Sequence, residues 1–127
     1  MRAKSIAVTL ASQVAIIWLN RPTVRNAIDE PMIRELDIAL AKIDSDSSVR
    51  AVVLAGHGPA FCAGIDPRPL ERQSKSSHSA RISDALAMAR LLKRLDKLSK
   101  PTVARIHGAA YAGGIGLIAA CDVAAIF

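Results

Sequence analysis

The chain has few aromatic side chains: among 127 residues there are two Phe, one Tyr and one Trp, 3% of the total. With 51% of residues apolar, its core has to be built from Ala, Val, Ile and Leu, and a chain of this length can bury one. That content excludes a disordered or a collagen-like chain. Cysteine is equally scarce. Cys62 and Cys121 offer neither a disulfide framework nor metal-ligand spacing, so they read as two buried small hydrophobes in a reducing cytoplasm. Acidic residues number 11 against 17 Lys and Arg, leaving a formal charge of +6. A positive balance suits a polyanion, whether nucleic acid, an anionic membrane or a ligand with several phosphates. The scatter of the basic residues, with so few aromatics between them, argues against nucleic acid.

Targeting and membrane signals are missing too. Arg2 and Lys4 are followed by Ile6, Val8 and Leu10 alternating with smaller or polar residues, a strand pattern rather than a secretory apolar run. The apolar stretch from Ala109 to Phe127 is interrupted by Gly113-Gly114-Ile115-Gly116 and Asp122, so it reads as a buried helix followed by a buried strand. There is no Gly-x-Ser-x-Gly, no Walker loop and no complete Gly-x-Gly-x-x-Gly. Serine hydrolase, nucleotide hydrolase and dinucleotide-binding chemistry therefore lack support.

What is present is an alternation of strand and helix patterns. Ser5–Leu10 and Val14–Leu19 read as a hairpin around Ala11-Ser12-Gln13, ended by Asn20-Arg21-Pro22. Asp29 is the expected N-cap of a helix to about Asp44, with Pro31 in its first turn and Ile33, Leu36, Leu40 and Ile43 on one face. Ser45–Ser48 is a polar turn. The continuous apolar run Ala51–Ala55 predicts a strand covered on both faces, broken by Gly56-His57-Gly58-Pro59. Asp66–Ser79, with Pro67, Pro69, Arg72, Lys75 and His78, reads as a mobile loop. Between Arg81 and Leu98 the spacing of Ile82, Leu86, Ala89, Leu91 or Leu92, and Leu95 predicts an amphipathic helix, with Arg90, Lys93, Arg94 and Lys97 opposite and Pro101 as its stop. Thr102–Ile106 is the next strand, a helix opens at Gly113 or Gly114, and a strand begins at Val123. The order β-β-α-β-α-β-α-β predicts an α/β fold with largely parallel pairing.

Two segments carry chemistry. Ala60-Phe61-Cys62-Ala63-Gly64-Ile65-Asp66, and Lys100–Ala104 running into Gly108-Ala109-Ala110-Tyr111-Ala112-Gly113-Gly114, are each a strand that ends at glycine. Backbone N–H groups at two such ends, the second opening a helix, can converge on one carbonyl oxygen and stabilise developing negative charge. That predicts enolate or oxyanion chemistry on an acyl group.

These motifs, with Asn20-Arg21-Pro22, Arg25-Asn26-Ala27 and Cys121-Asp122 in this order, resemble the crotonase (enoyl-CoA hydratase/isomerase) superfamily over nearly the whole chain. Within it the chain is similar to bacterial 3-methylglutaconyl-CoA hydratases. The resemblance implies a spiral of ββα units, an acyl-CoA thioester substrate, coenzyme A as part of that substrate with no permanently bound cofactor, and assembly as trimers or dimers of trimers. It implies that the Ile65 and Gly113 amides form the oxyanion hole. It further implies that Arg25 and Arg68 meet coenzyme A phosphates, and that Ala27, Ala63, Gly64 and Asp66 supply backbone contacts to the adenine and the thioester. A guanidinium suits phosphate because its fork meets two oxygens at once.

One position departs from the two-glutamate hydratase pattern: the first catalytic Glu is replaced by Gly116, and the second would fall beyond Phe127. Water addition needs carboxylates that orient water and deliver a proton, which glycine cannot do. Asp122 is expected to be structural, His107 has no neighbour in sequence to orient it as a base, and His57 and His78 read as loop surface. The apolar end at Ala124-Ala125-Ile126-Phe127 suggests residues 1–127 as the N-terminal part of a longer domain, the C-terminal part being absent. Enoyl-CoA hydration is the leading expectation. The alternative is a non-catalytic coenzyme A-binding or assembly protein.

Overall fold

The computed structural model describes residues 4–68 and 78–127. The elements are β1 (Ile6–Ala11), β2 (Val14–Leu19), a short 3-10 turn (Pro22–Val24), α1 (Glu30–Ser45), β3 (Ala51–Gly56), α2 (His78–Asp96), β4 (Thr102–Ile106), α3 (Gly113–Ala120) and β5 (Val123–Ile126). Their order is the one read from the sequence. Among the described residues the strands form one sheet in the order β1-β2-β3-β4-β5, antiparallel at β1–β2 and parallel thereafter.

The hairpin turns on Ser12 and Gln13 alone, both at positive φ (49° and 69°), the twist that matches a two-residue connection. Asp29 caps α1 by accepting a 3.1 Å hydrogen bond from the Met32 amide, and Pro31 occupies the first turn, where it leaves no extra donor unpaired. Met32, Leu36, Leu40 and Ile43 are buried, with Ile33 only partly so. They pack on Ala15, Ile17, Leu19, Val52, Leu54 and Ala104 from one face of the sheet and on Leu91, Leu95 and Leu117 from α2 and α3. Each large side chain so buried contributes about 1.5–3 kcal/mol of transfer free energy.

Three expectations are corrected. β3 is not evenly covered: Val52 and Leu54 are buried, whereas Ala51 and Val53 on the other face are only half-buried, because the core lies on one side of the sheet. In α2 the inward residues are Leu91 and Leu95, with Met88 and Leu92 packed at the margin, while Ile82 and Leu86 are each 47% exposed. That helix meets the body with its C-terminal half, so its first turns project. β5 is an exposed edge rather than a buried strand, with Val123 at 55% and Ile126 at 80% exposure, since no described element pairs with its outer side. The loop expected over Asp66–Ser79 gives way to helix by His78, and its central part lies outside the described residues. Among the described residues no helix is long and apolar enough to cross a membrane.

Parallel pairing of β2, β3 and β4 brings their C-terminal ends to one edge of the sheet. The three segments that follow them, Asn20–Asp29, His57–Asp66 and His107–Ala112, meet there, which is where open α/β sheets build sites.

Candidate active site

The first of these segments is organised by Asn26. Its side chain is fully buried, accepts from the Arg21 amide (2.8 Å) and donates to the carbonyls of His57 (2.9 Å), Ala60 (3.1 Å) and Phe61 (3.1 Å). Asn tolerates the left-handed backbone required here (φ 56°), so one residue both turns the chain and ties it to the neighbouring segment. Arg21 runs beneath. Its Nη1 donates to the Ala27 carbonyl (2.6 Å) and lies 3.2 Å from Asp29 Oδ2 and 3.4 Å from Asp66 Oδ2. Arg25 is exposed, and its carbonyl accepts from the Ala63 amide at 2.9 Å.

The second segment crosses Gly56, where an added Cβ would come within 2.9 Å of the Phe61 carbonyl oxygen, and continues to Cys62. The Cys62 thiol is a linker rather than filler: Sγ donates to the Asn26 carbonyl (3.2 Å) and accepts from the Gly64 amide (3.4 Å). Burial pushes this thiol up, which keeps it protonated, as the bond to a carbonyl demands. Gly64 has φ +93°, and Ile28 and Ile65 are bridged through Ile28 N to Gly64 O (2.8 Å) and Asp66 N to Ile28 O (2.7 Å). The Ile65 amide points away from this ladder, and its side chain is 43% exposed. Among the described residues the Ile65 N–H has no hydrogen-bond acceptor.

The third segment is drawn tightly against the second. The amides of Phe61 and Tyr111 donate to the carbonyls of Ala109 (3.0 Å) and Cys62 (3.0 Å). A Cβ on Gly108 would meet the Pro59 carbonyl oxygen at 2.4 Å, and one on Gly114 would meet that of Cys62 at 2.6 Å. α3 then starts at Gly113, whose amide also lacks an acceptor among the described residues. The two glycine motifs converge: a Cβ built on Gly64 would lie 3.2 Å from Gly113 N, and one built on Gly113 would lie 3.5 Å from Ile65 N. Two amides without acceptors among the described residues therefore stand close together at a helix N-terminus, where anionic oxygen is favoured.

The family model for enoyl-CoA hydratase/isomerase matches residues 9–126. The chain belongs to the enoyl-CoA hydratase/isomerase family. A Thermus thermophilus protein named provisionally as an enoyl-CoA hydratase is 43% identical over 110 residues, covering 87% of this chain and 44% of that protein. The mitochondrial Δ(3,5)-Δ(2,4)-dienoyl-CoA isomerase of Rattus norvegicus is 40% identical over 94% of this chain and 39% of its own length. The crystal structure of an enoyl-CoA hydratase from Shewanella pealeana superposes with a TM-score of 0.91 at 34% identity, covering 96% of this chain and 46% of that one. The chain thus spans less than half the length of these family members.

Within this family chain, the other residues singled out from sequence fall into two groups. Those whose polar groups are already engaged include Ala63, Gly64 and Asp66, whose amides are bonded internally, and Ala27, whose carbonyl is taken by Arg21. Arg68 also belongs here: its Nε and Nη2 fork onto Asp66 Oδ1 (2.9 Å) and Oδ2 (2.5 Å), and its amide donates to Oδ1 (3.0 Å). Two of its guanidinium nitrogens are thus engaged with a carboxylate, while the side chain remains half-exposed. Arg68, with Arg21 behind, holds the Asp66 carboxyl well below its usual range, despite the opposing effect of burial. Asp122 is structural, as expected: Oδ2 accepts from the Thr102 amide (2.9 Å) and hydroxyl (3.2 Å), joining the start of β5 to β4.

The second group remains open. Arg25 is exposed, and Gly116 presents a bare helix face whose added Cβ would meet only Leu92 of α2, at 3.5 Å. His107 shares a 2.7 Å hydrogen bond with the Gly58 carbonyl, which orients the ring toward that loop. His57 is on the surface yet stacked on Trp18, ring centroids 4.6 Å apart. Cys62 is therefore more than the small hydrophobe expected of it, and Asn26, which no motif marks out by role, is the residue that joins the first two segments. The available signal for Asn26 was a polar side chain that tolerates αL geometry directly after a Pro-initiated turn.

Proposed function

We propose that the Ile65 and Gly113 amides bind the thioester oxygen of an acyl-CoA and stabilise the enolate formed there, most directly in hydration of an enoyl-CoA. The observation carrying this reading is that neither N–H group has an acceptor among the described residues, and that a Cβ built on Gly113 would lie only 3.5 Å from the Ile65 nitrogen. In the addition, water gives up a proton to a base as its oxygen bonds to the β-carbon and the π-electron pair moves through the α-carbon onto the thioester oxygen. The enolate then collapses, re-forming the thioester carbonyl as a proton is delivered to the α-carbon. Two pre-set amides lower the cost of that charge without reorganising. The exposed Arg25 guanidinium suits the coenzyme A phosphates. Proton transfer requires a carboxylate outside the described residues, because Asp66 and Asp122 are committed to Arg68 and Thr102 and position 116 is glycine.

The full-length protein with crotonyl-CoA tests this. Hydration bleaches the conjugated enoyl absorbance, and Gly113→Pro, which removes one N–H, should lower turnover by about 100-fold or more, with the far-ultraviolet circular dichroism spectrum of the parent retained to show that the variant folds. Unchanged turnover in that variant overturns the role given to Gly113. A second reading, a non-catalytic coenzyme A-binding protein, is favoured by Gly116 alone. It predicts saturable binding of crotonyl-CoA with the absorbance intact.

A further inference from the structure

Ala112 has φ 46° and ψ −111°. The Gly114 amide donates to the Tyr111 carbonyl at 2.8 Å, so residues 111–114 form a β-turn with Ala112 in the first central position of type II′. Glycine dominates that position because an L-residue's Cβ crowds the backbone there. Rotating the Ala112–Gly113 peptide by about half a turn would carry Ala112 into the left-handed region, type I′, which alanine tolerates better. Gly113 accepts the positive φ that type I′ requires at the second central position. The rotation reverses the Gly113 N–H and the Ala112 carbonyl. Opposing it, the Ala112 carbonyl in the observed state accepts from the amides of Ile115 (2.9 Å) and Gly116 (3.2 Å), bonds that would be lost. Relief of the methyl therefore favours one orientation and the first helical hydrogen bonds favour the other.

We propose that the Ala112–Gly113 peptide is a two-state element that turns the Gly113 N–H into or out of the cleft it shares with Ile65, and that Ala112 is the positioning residue that sets the balance. This rests on the thioester-oxygen reading above, since an oxygen between the two amides is what selects the inward state. Binding to a state that is only partly populated loses apparent affinity in proportion to that population. Ala112 therefore weakens capture of the oxyanion without touching the substrate.

Acetoacetyl-CoA bound to the full-length protein is the probe, because its enolate absorbs in the near-ultraviolet and reports the charge on the thioester oxygen. Ala112→Gly should bind it about fivefold more tightly with a stronger enolate band, as the type II′ geometry ceases to be strained. If the variant melts higher but its affinity and enolate band match the parent, the strain is only structural and the two-state element is overturned. If the parent shows an enolate band that Gly113→Pro abolishes while Ala112→Gly leaves it unchanged, this inference alone fails. Absence of any enolate band in the parent, with binding indifferent to Gly113→Pro, overturns the thioester-oxygen reading and this inference with it.

Discussion

Gly113 stands against Ile65 so closely that a methyl group on it would lie 3.5 Å from the Ile65 amide nitrogen, although 47 residues of numbering separate the two positions. The contact holds because the segments preceding them are cross-bonded at Phe61, Cys62, Ala109 and Tyr111. Those bonds in turn require glycine at 108 and 114.

Of the three glycines of α3, those at 114 and 116 should behave in opposite ways. Gly114→Ala forces a Cβ to 2.6 Å from the Cys62 carbonyl oxygen and should destabilise by about 3 kcal/mol. Gly116→Ala places its Cβ at 3.5 Å from Leu92, an ordinary contact, and should stabilise by roughly 0.5–1 kcal/mol through helix propensity. Urea unfolding of both variants checks the pair; a similar loss in each would contradict the packing described.

Asn26→Ala leaves three carbonyls and one amide without their side-chain partner in a buried setting. It should cost about 3 kcal/mol. Asn26→Asp, which can accept from Arg21 but not donate to the carbonyls, should recover little of the loss in the same thermal melts.

Asp66 ties two arginines, and its folded-state pKa lies well below the ordinary 3.8. The unfolded chain therefore binds the proton first as pH falls, so the stabilisation is complete above about pH 4 and is lost progressively below it. Asp66→Asn should lower stability by about 2 kcal/mol at neutral pH, because Arg68 is half-exposed and its share is screened. The difference from the parent should shrink on titration below pH 4. A constant difference would remove the ion pairs from the explanation.

The thiols make the opposite prediction at high pH. Burial pushes Cys121 up to about 11 and raises Cys62, so the unfolded chain loses these protons before the folded one does. Stability should fall as pH rises from the ordinary 9.0 toward 11. Cys121 is only half-buried, not fully buried as the sequence suggests, so iodoacetamide at about pH 8.5 should label Cys62 far more slowly in the native protein than in urea and Cys121 less so; equal rates at Cys62 would contradict its burial.

Much of the fold is legible in the residues themselves. Asp29 before Pro31, the period of Leu36, Leu40 and Ile43, and the apolar runs of β2 and β3 are local features that constrain their own backbone. Coverage was less legible. Ile82 and Leu86 lie in a helical pattern like that of Leu91 and Leu95, and only the place where α2 meets α1 and α3 separates exposed from buried. In the site, the glycines at 64 and 113 are legible as the ends of two strand-like segments. That Arg68 faces Asp66, or that Cys62 bonds Asn26, was not, because each side chain had several partners within reach.

From the sequence alone follow the order of elements, the family resemblance and the two glycine motifs at strand ends, since these depend on backbone preference and short-range periodicity. Among the described residues, the tertiary structure alone decided which amides find an acceptor, which carboxylate Arg68 meets and which strand faces solvent. Those properties belong to hydrogen-bond partners and covering surfaces brought together from distant parts of the chain, so no local run of residues contains them.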